Sequence, residues 1–160
     1  MSATIKDLFS NPYDDDGFRT CTTTGLSVHR SAENMAKLFG LTAVVALIAG
    51  GFFAFFVALT RWEIVGMLDP TNFYRFLGAH AWNLLIFWMV FMEVAILYVG
   101  GPIVLGRRLP VPSFAKAGWV VMFVSALGIN YSILTQASPN QAPLLTAYAP
   151  LPSPPLFYLG

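Results

Sequence analysis

The sequence predicts an all-α, polytopic membrane protein: three transmembrane helices, a polar N-terminal arm and a Pro-rich C-terminal tail. Composition is the first ground. Of 160 residues, 56% are hydrophobic and 11% charged, and the mean hydropathy is +0.64. Soluble domains average roughly 45–50% apolar and 25% charged. The second ground is where the charges sit. Residues 38–60 and 117–160 carry none, and 76–106 has only His80 and Glu93 as ionisable groups before the next arginines. An uncharged run of about 20 residues is long enough to cross the hydrocarbon core. Third, nine basic residues nearly cancel eight acidic ones, so no charge excess points to nucleic acid as a partner.

Taken in order, residues 1–34 form a polar arm with the acid run Asp14-Asp15-Asp16 and a Thr-rich patch, expected to be a solvated cytoplasmic segment. The transmembrane region is assigned to 35–136. Its first span, LFGLTAVVALIAGGFFAFFVALT, is closed by Arg61, Trp62 and Glu63, a charged and aromatic belt of the interfacial kind. The Gly50-Gly51 pair inside it marks either close helix packing or simple tolerance of glycine in lipid. None of the spans has the form of a cleavable signal peptide. The second span, about 74–104, is long enough to tilt. The third, AGWVVMFVSALGINYSILT, carries Ser125, Asn130, Tyr131 and Ser132 toward its end, which suggests burial against other protein. Residues 137–160 are expected to form an extracytoplasmic loop and tail. Six prolines between Pro139 and Pro155 forbid a regular helix there. The closing LFYLG turns apolar again and reads as the start of a further hydrophobic segment.

Orientation follows the basic residues. With the N-terminus inside, Lys6, Arg19, Arg30, Lys37, Arg107, Arg108 and Lys116 lie on the cytoplasmic side and only Arg61 and Arg75 outside, the arrangement expected of a multi-pass protein of the cell (plasma) membrane. His80 then lies about 7.5 Å of helix rise below Arg75, in the outer third of the bilayer. Glu93 falls roughly 20 Å deeper and about 140° round the helix from His80, so the two share no site through this helix alone.

Ionisable groups at membrane depth are costly and mark cofactors, ion paths or buried partners. A neutral imidazole in an apolar helix is also a common axial ligand of heme iron. The plainer alternative is a histidine that hydrogen-bonds a neighbouring helix. For Glu93, proton uptake stands beside a paired or lipid-edge carboxylate. The chain has no Gly-rich phosphate loop, no His-Glu metal spacing and no serine nucleophile elbow. Its single Cys21 excludes an intrachain disulfide and a cysteine-based metal cluster. With His29 the only other histidine, no complete metal site is expected within the chain.

Four segments in order carry a family resemblance. VHRSAENMAKLFG leads into the first span, and LDPTNFYRFLGAHAWNLLIF joins a short loop to a histidine near the start of the second. GGPIVLGRRLPVPSFAKAGW links the second and third, and LLTAYAPLPSPPLFYLG closes the sequence. Together, over about residues 28–160, they resemble the N-terminal part of subunit I of heme–copper terminal oxidases, closest to the B-type branch. The family's His-Gly motif is here His80-Ala81. The Asn and Asp of the A-type proton path have no match in a region that offers Tyr98 and an Arg-Leu-Pro stretch.

The resemblance implies that His80 is one of two axial ligands of a low-spin heme, of b or a type, that passes electrons to the oxygen-reducing centre. A six-coordinate iron held by two imidazoles has no open position for oxygen. A ligating histidine needs a partner on its other ring nitrogen; Ser and Thr of the first span, or Asn130 and Tyr131 of the third, are the candidates. The family's second low-spin ligand, high-spin heme and copper ligands lie in later helices. The resemblance therefore implies a partner chain with the remaining subunit I helices, high-spin heme and copper, together with subunit II, all in the lipid bilayer. It also implies no oxygen reduction by this chain alone. Two other classes remain open: a cofactor-free accessory subunit of a respiratory or photosynthetic complex, and a membrane b-type quinol cytochrome. A membrane monooxygenase subunit fits less well, because it needs clustered His and carboxylate ligands.

Overall fold

The computed structural model describes residues 13–135 and 155–159. Its fold is helical, with one small sheet in the polar arm. Strand β1 (Phe18–Thr20) pairs antiparallel with β2 (Ser27–His29), Phe18 opposite His29. This hairpin carries Arg19 onto Glu33. The guanidinium reaches both carboxylate oxygens, at 2.6 and 2.9 Å. Tyr13 donates to the same carboxylate at 3.0 Å and Lys37 approaches at 2.7 Å. Glu33 is a buried acid, and a buried carboxylate needs paired, hydrogen-bonded surroundings of this kind. The arm is thereby fastened to the start of the first span.

Helix α1 (Arg30–Arg61) begins at His29, whose Nδ1 accepts from the Ser31 amide at 3.1 Å and so satisfies one of the four free donors of the first turn. It therefore starts several residues before the apolar run. After the loop that follows Arg61, Asp69 caps α2 (Pro70–Ala81) by accepting from Thr71 and Asn72, with Pro70 at the first helical position. From Trp82 to Phe87 the second span widens into a π-helical turn, then continues as α3 (Trp88–Leu105). Gly106 ends it with φ 58°, Arg107 N–H returning to Pro102 O at 3.0 Å, a left-handed stop that only glycine adopts readily. Helix α4 (Pro112–Thr135) is the third span, and α5 (Pro155–Leu159) is a short piece beside it. The expectation of an irregular Pro-rich loop falls on residues 136–154, outside the described ones.

Among the described residues, three helices are long and apolar enough to cross a membrane: Arg30–Arg61, the continuous Pro70–Leu105, and Pro112–Thr135. The first and second spans share the largest interface. Its core is Phe39, Ala43 and Ala46 against Phe91 and Ala95, joined by Ala79 and Phe87 and, from the third span, Ala126, Ile129 and Ile133. Five of these ten are alanines, which let helices approach closely in lipid. Trp119 Nε1 donates to Thr42 Oγ1 at 3.0 Å and ties the third span to the first. At the other end Phe53 and Phe56 meet Phe76 edge to face. The arm and the loop after the second span lie at one end of the bundle, joined by Leu109 N–H donating to Ser31 Oγ at 3.2 Å.

Candidate functional site

The site starts from a glycine. Gly50 is buried at the centre of the first interface, where an added Cβ would stand 2.6 Å from Leu84 Cδ1 and 3.3 Å from the Leu84 backbone nitrogen. Only a residue without a side chain lets the second span come this near. Gly51, next in sequence, faces open space. Of the glycine pair, one residue thus serves packing and the other does not.

The close approach brings His80 to the Gly50 carbonyl. His80 Nδ1 lies 2.9 Å from that oxygen. A carbonyl only accepts, so Nδ1 carries the proton, and its two lone pairs allow this bond beside the helix ladder. The neutral tautomer then leaves the lone pair on Nε2, which makes no hydrogen bond among the described residues. A ring fixed through one nitrogen with the other unengaged is the arrangement that ligating histidines use. The partner differs from those expected. Ser and Thr of the first span, Asn130 and Tyr131 are not the groups that hold His80; a backbone carbonyl is. A backbone group carries no mark in a sequence, and the glycine pair was the only available sign.

The wide turn begins two residues after His80. Within it Asn83 is buried, and its amide donates to Ala79 O at 2.8 Å and to Asn130 Oδ1 of the third span at 2.6 Å. Asn130 returns a longer bond of 3.4 Å and donates to Ala126 O at 2.9 Å. Asn130 therefore finds its partner inside this chain, while Tyr131 is exposed. The two amides clamp the second and third spans beside His80 and set the rotation of the helix that bears it. π-turns recur at functional positions, because the extra residue re-aims the side chains around it.

A cavity of about 270 Å³ lies among the three spans, lined by apolar side chains with Thr42, Asn83 and Asn130. His80 is not part of its wall. It is half-buried. His29 is elsewhere: it begins α1, roughly 30 Å of helix from Gly50, with Nδ1 engaged by Ser31. The two histidines cannot meet. Glu93 is exposed and belongs to neither group.

Outside the spans, charge is tuned in three places. The Glu33 carboxylate raises the Arg19 guanidinium above its already high value, mainly through their hydrogen bond. Hydrogen bonds from Thr24, helped by the Thr23 amide, lower the Cys21 thiol to about 7. Bonds from Asn72 lower the Asp69 carboxyl. Among the described residues no three His, Cys, Asp or Glu side chains gather as a metal site. The described chain can thus offer a metal one oriented imidazole nitrogen.

A protein-family model described as Cytochrome C and Quinol oxidase polypeptide I matches residues 34–160. No curated protein and no solved structure matches the chain.

Proposed function

This chain belongs to the cytochrome c and quinol oxidase polypeptide I family, the heme–copper oxidase subunit I family, and from that premise we propose that His80 supplies one axial ligand of the low-spin heme in the N-terminal portion of such a subunit. The single observation that carries this reading is the bond from His80 Nδ1 to the Gly50 carbonyl, which leaves Nε2 as the free nitrogen. The residues present fit the group, since a heme iron takes a neutral imidazole nitrogen. When bound, the heme accepts and passes on one electron at a time without binding oxygen.

The rest is done by this chain. The Gly50 carbonyl fixes the tautomer and stops the ring from turning. Gly50 against Leu84 sets the depth and distance of the second span. The Asn83–Asn130 pair sets its rotation. His29 is too distant to be the second ligand, so that ligand comes from residues beyond these 160. The half-exposed position of His80 favours an iron shared across an interface, with the high-spin heme and copper, the remaining subunit I helices and subunit II in the same assembly. The basic residues favour an N-terminus inside, with the arm and the loop of Arg107 and Arg108 on the cytoplasmic face and His80 nearer the outer one.

His80→Leu in the complex purified from its own membranes tests the reading. The low-spin heme absorption is expected to disappear while the protein subunits remain in their normal ratio. An unchanged low-spin spectrum would overturn it and leave the cofactor-free accessory role. Copper in the purified complex separates the oxidase from a quinol cytochrome, which has none.

A further inference from the structure

One ionisable group of the second span is used by nothing described above. Glu93 is separated from Arg75 by roughly 27 Å of helix rise and from Arg107 by roughly 21 Å. It therefore lies close to the middle of the bilayer, too far for a glutamate side chain to reach water at either face. It is exposed, and it has no hydrogen-bond or ion-pair partner among the described residues.

Its neighbours define the surface. Met89 and Val90 one turn before, and Ile96 and Leu97 one turn after, are all exposed, and Leu97 is 72% so. With Glu93 they form one stripe at the helical spacing of three and four residues. Lipid chains cannot donate a hydrogen bond to a carboxyl group at this depth, and acidic side chains within spans face protein or water-filled cavities. A wet conduit would need polar lining, and the four flanking residues are apolar. What suits the stripe is an apolar helix with one donor.

We propose that in the assembled membrane complex this stripe is covered by another transmembrane helix, which directs a hydrogen-bond-donating side chain at Glu93 from the bilayer midplane. The flanking residues pack against apolar positions of that helix, and the donor and carboxyl satisfy each other away from water. Interhelical polar contacts of this kind fix which helices pair and in which rotation. The proposal does not depend on heme at His80.

The test has two arms, both on the intact complex in its own membranes. A photo-crosslinking residue replaces Leu97, one turn from Glu93, and the adducts are identified by mass. Crosslinks to a polypeptide are expected; adducts to lipid alone overturn the proposal. In the second arm, Glu93→Leu removes the acceptor without adding bulk that lipid would resist. Against a partner that presents a donor it should lower the yield of assembled complex by about tenfold, the effect of one unsatisfied polar group. On a lipid-facing stripe the same change is an improvement, so a yield equal to or above that of the unmodified complex overturns the proposal. Repeating the crosslink with His80→Leu keeps the two readings separate.

Discussion

At the residue scale the most demanding position is Gly50. A methyl group there meets both the side chain and the backbone of Leu84, and backbone cannot move aside as a flexible side chain does. Gly50→Ala is expected to cost about 1–3 kcal/mol, the usual range for overpacking, and to disturb the low-spin heme signal by pushing the carbonyl away from His80. Gly51→Ala has open space and should stay within about 0.5 kcal/mol. Thermal unfolding of the complex in detergent, read by protein and by heme absorption, distinguishes the two. Cys21 offers a second test. Its lowered value means that the reactive thiolate is present above pH 7 and lost as pH falls below it. The alkylation rate should reach half its maximum near pH 7. Thr24→Val removes the hydroxyl that lowers the value, and should move that midpoint up toward the ordinary thiol range near 8.5. The two glycines were legible as a pair, but which one packs was not, because that depends on the rotation of the helix against a neighbour.

At the element scale the second span is a composite: a capped α-helix, a π-turn and a further α-helix that run as one rod. The nearly charge-free apolar run predicted its existence and approximate length, and not the turn, whose cause lies in contacts. The Asn83 side chain takes the Ala79 carbonyl and reaches across to Asn130. Asn130 stood out in the sequence as a polar residue in need of a partner; Asn83 was hidden among aromatic and aliphatic neighbours. Asn83→Ala and Asn130→Ala each break the pair. Interhelical hydrogen bonds in membranes are worth about 0.6 kcal/mol on average and up to about 1.7. The two single losses should therefore each fall near or above that range, and the double variant should cost clearly less than their sum. A double-mutant cycle on unfolding in detergent checks this, and strict additivity would show that the amides do not couple. The wider effect of the clamp should be on His80, through the rotation it imposes.

At the scale of the whole molecule, three apolar helices expose large residues along most of their length, such as Ile48, Phe52 and Phe55 on the first and Val121 and Val124 on the third. Such a surface belongs in lipid or against further protein. The arm and the loop that bears Arg107 and Arg108 meet at one end through Ser31 and Leu109, so most of the described basic residues lie at that end and only Arg61 and Arg75 at the other, the bias expected of an N-terminus inside. A membrane-impermeant maleimide should accordingly label Cys21 in inverted vesicles and leave it untouched in right-side-out ones. Labelling only from the outer side would reject that orientation.

The membrane class, the number of spans and the place of His80 near one end of the second were determined by the sequence itself. They rest on run lengths and on the cost of putting charge in hydrocarbon, which no later packing can change. The family was legible too, in short segments whose order mattered more than any one of them. Tertiary structure alone decided what holds His80. Its Nδ1 proton is directed by a carbonyl thirty residues nearer the N-terminus, and that carbonyl is within reach because one glycine, and not its neighbour, faces the second span. The arm's hairpin and its hold on Glu33 belong to the same class of facts. Each depends on the angle and distance at which two elements meet, and a one-dimensional pattern contains neither.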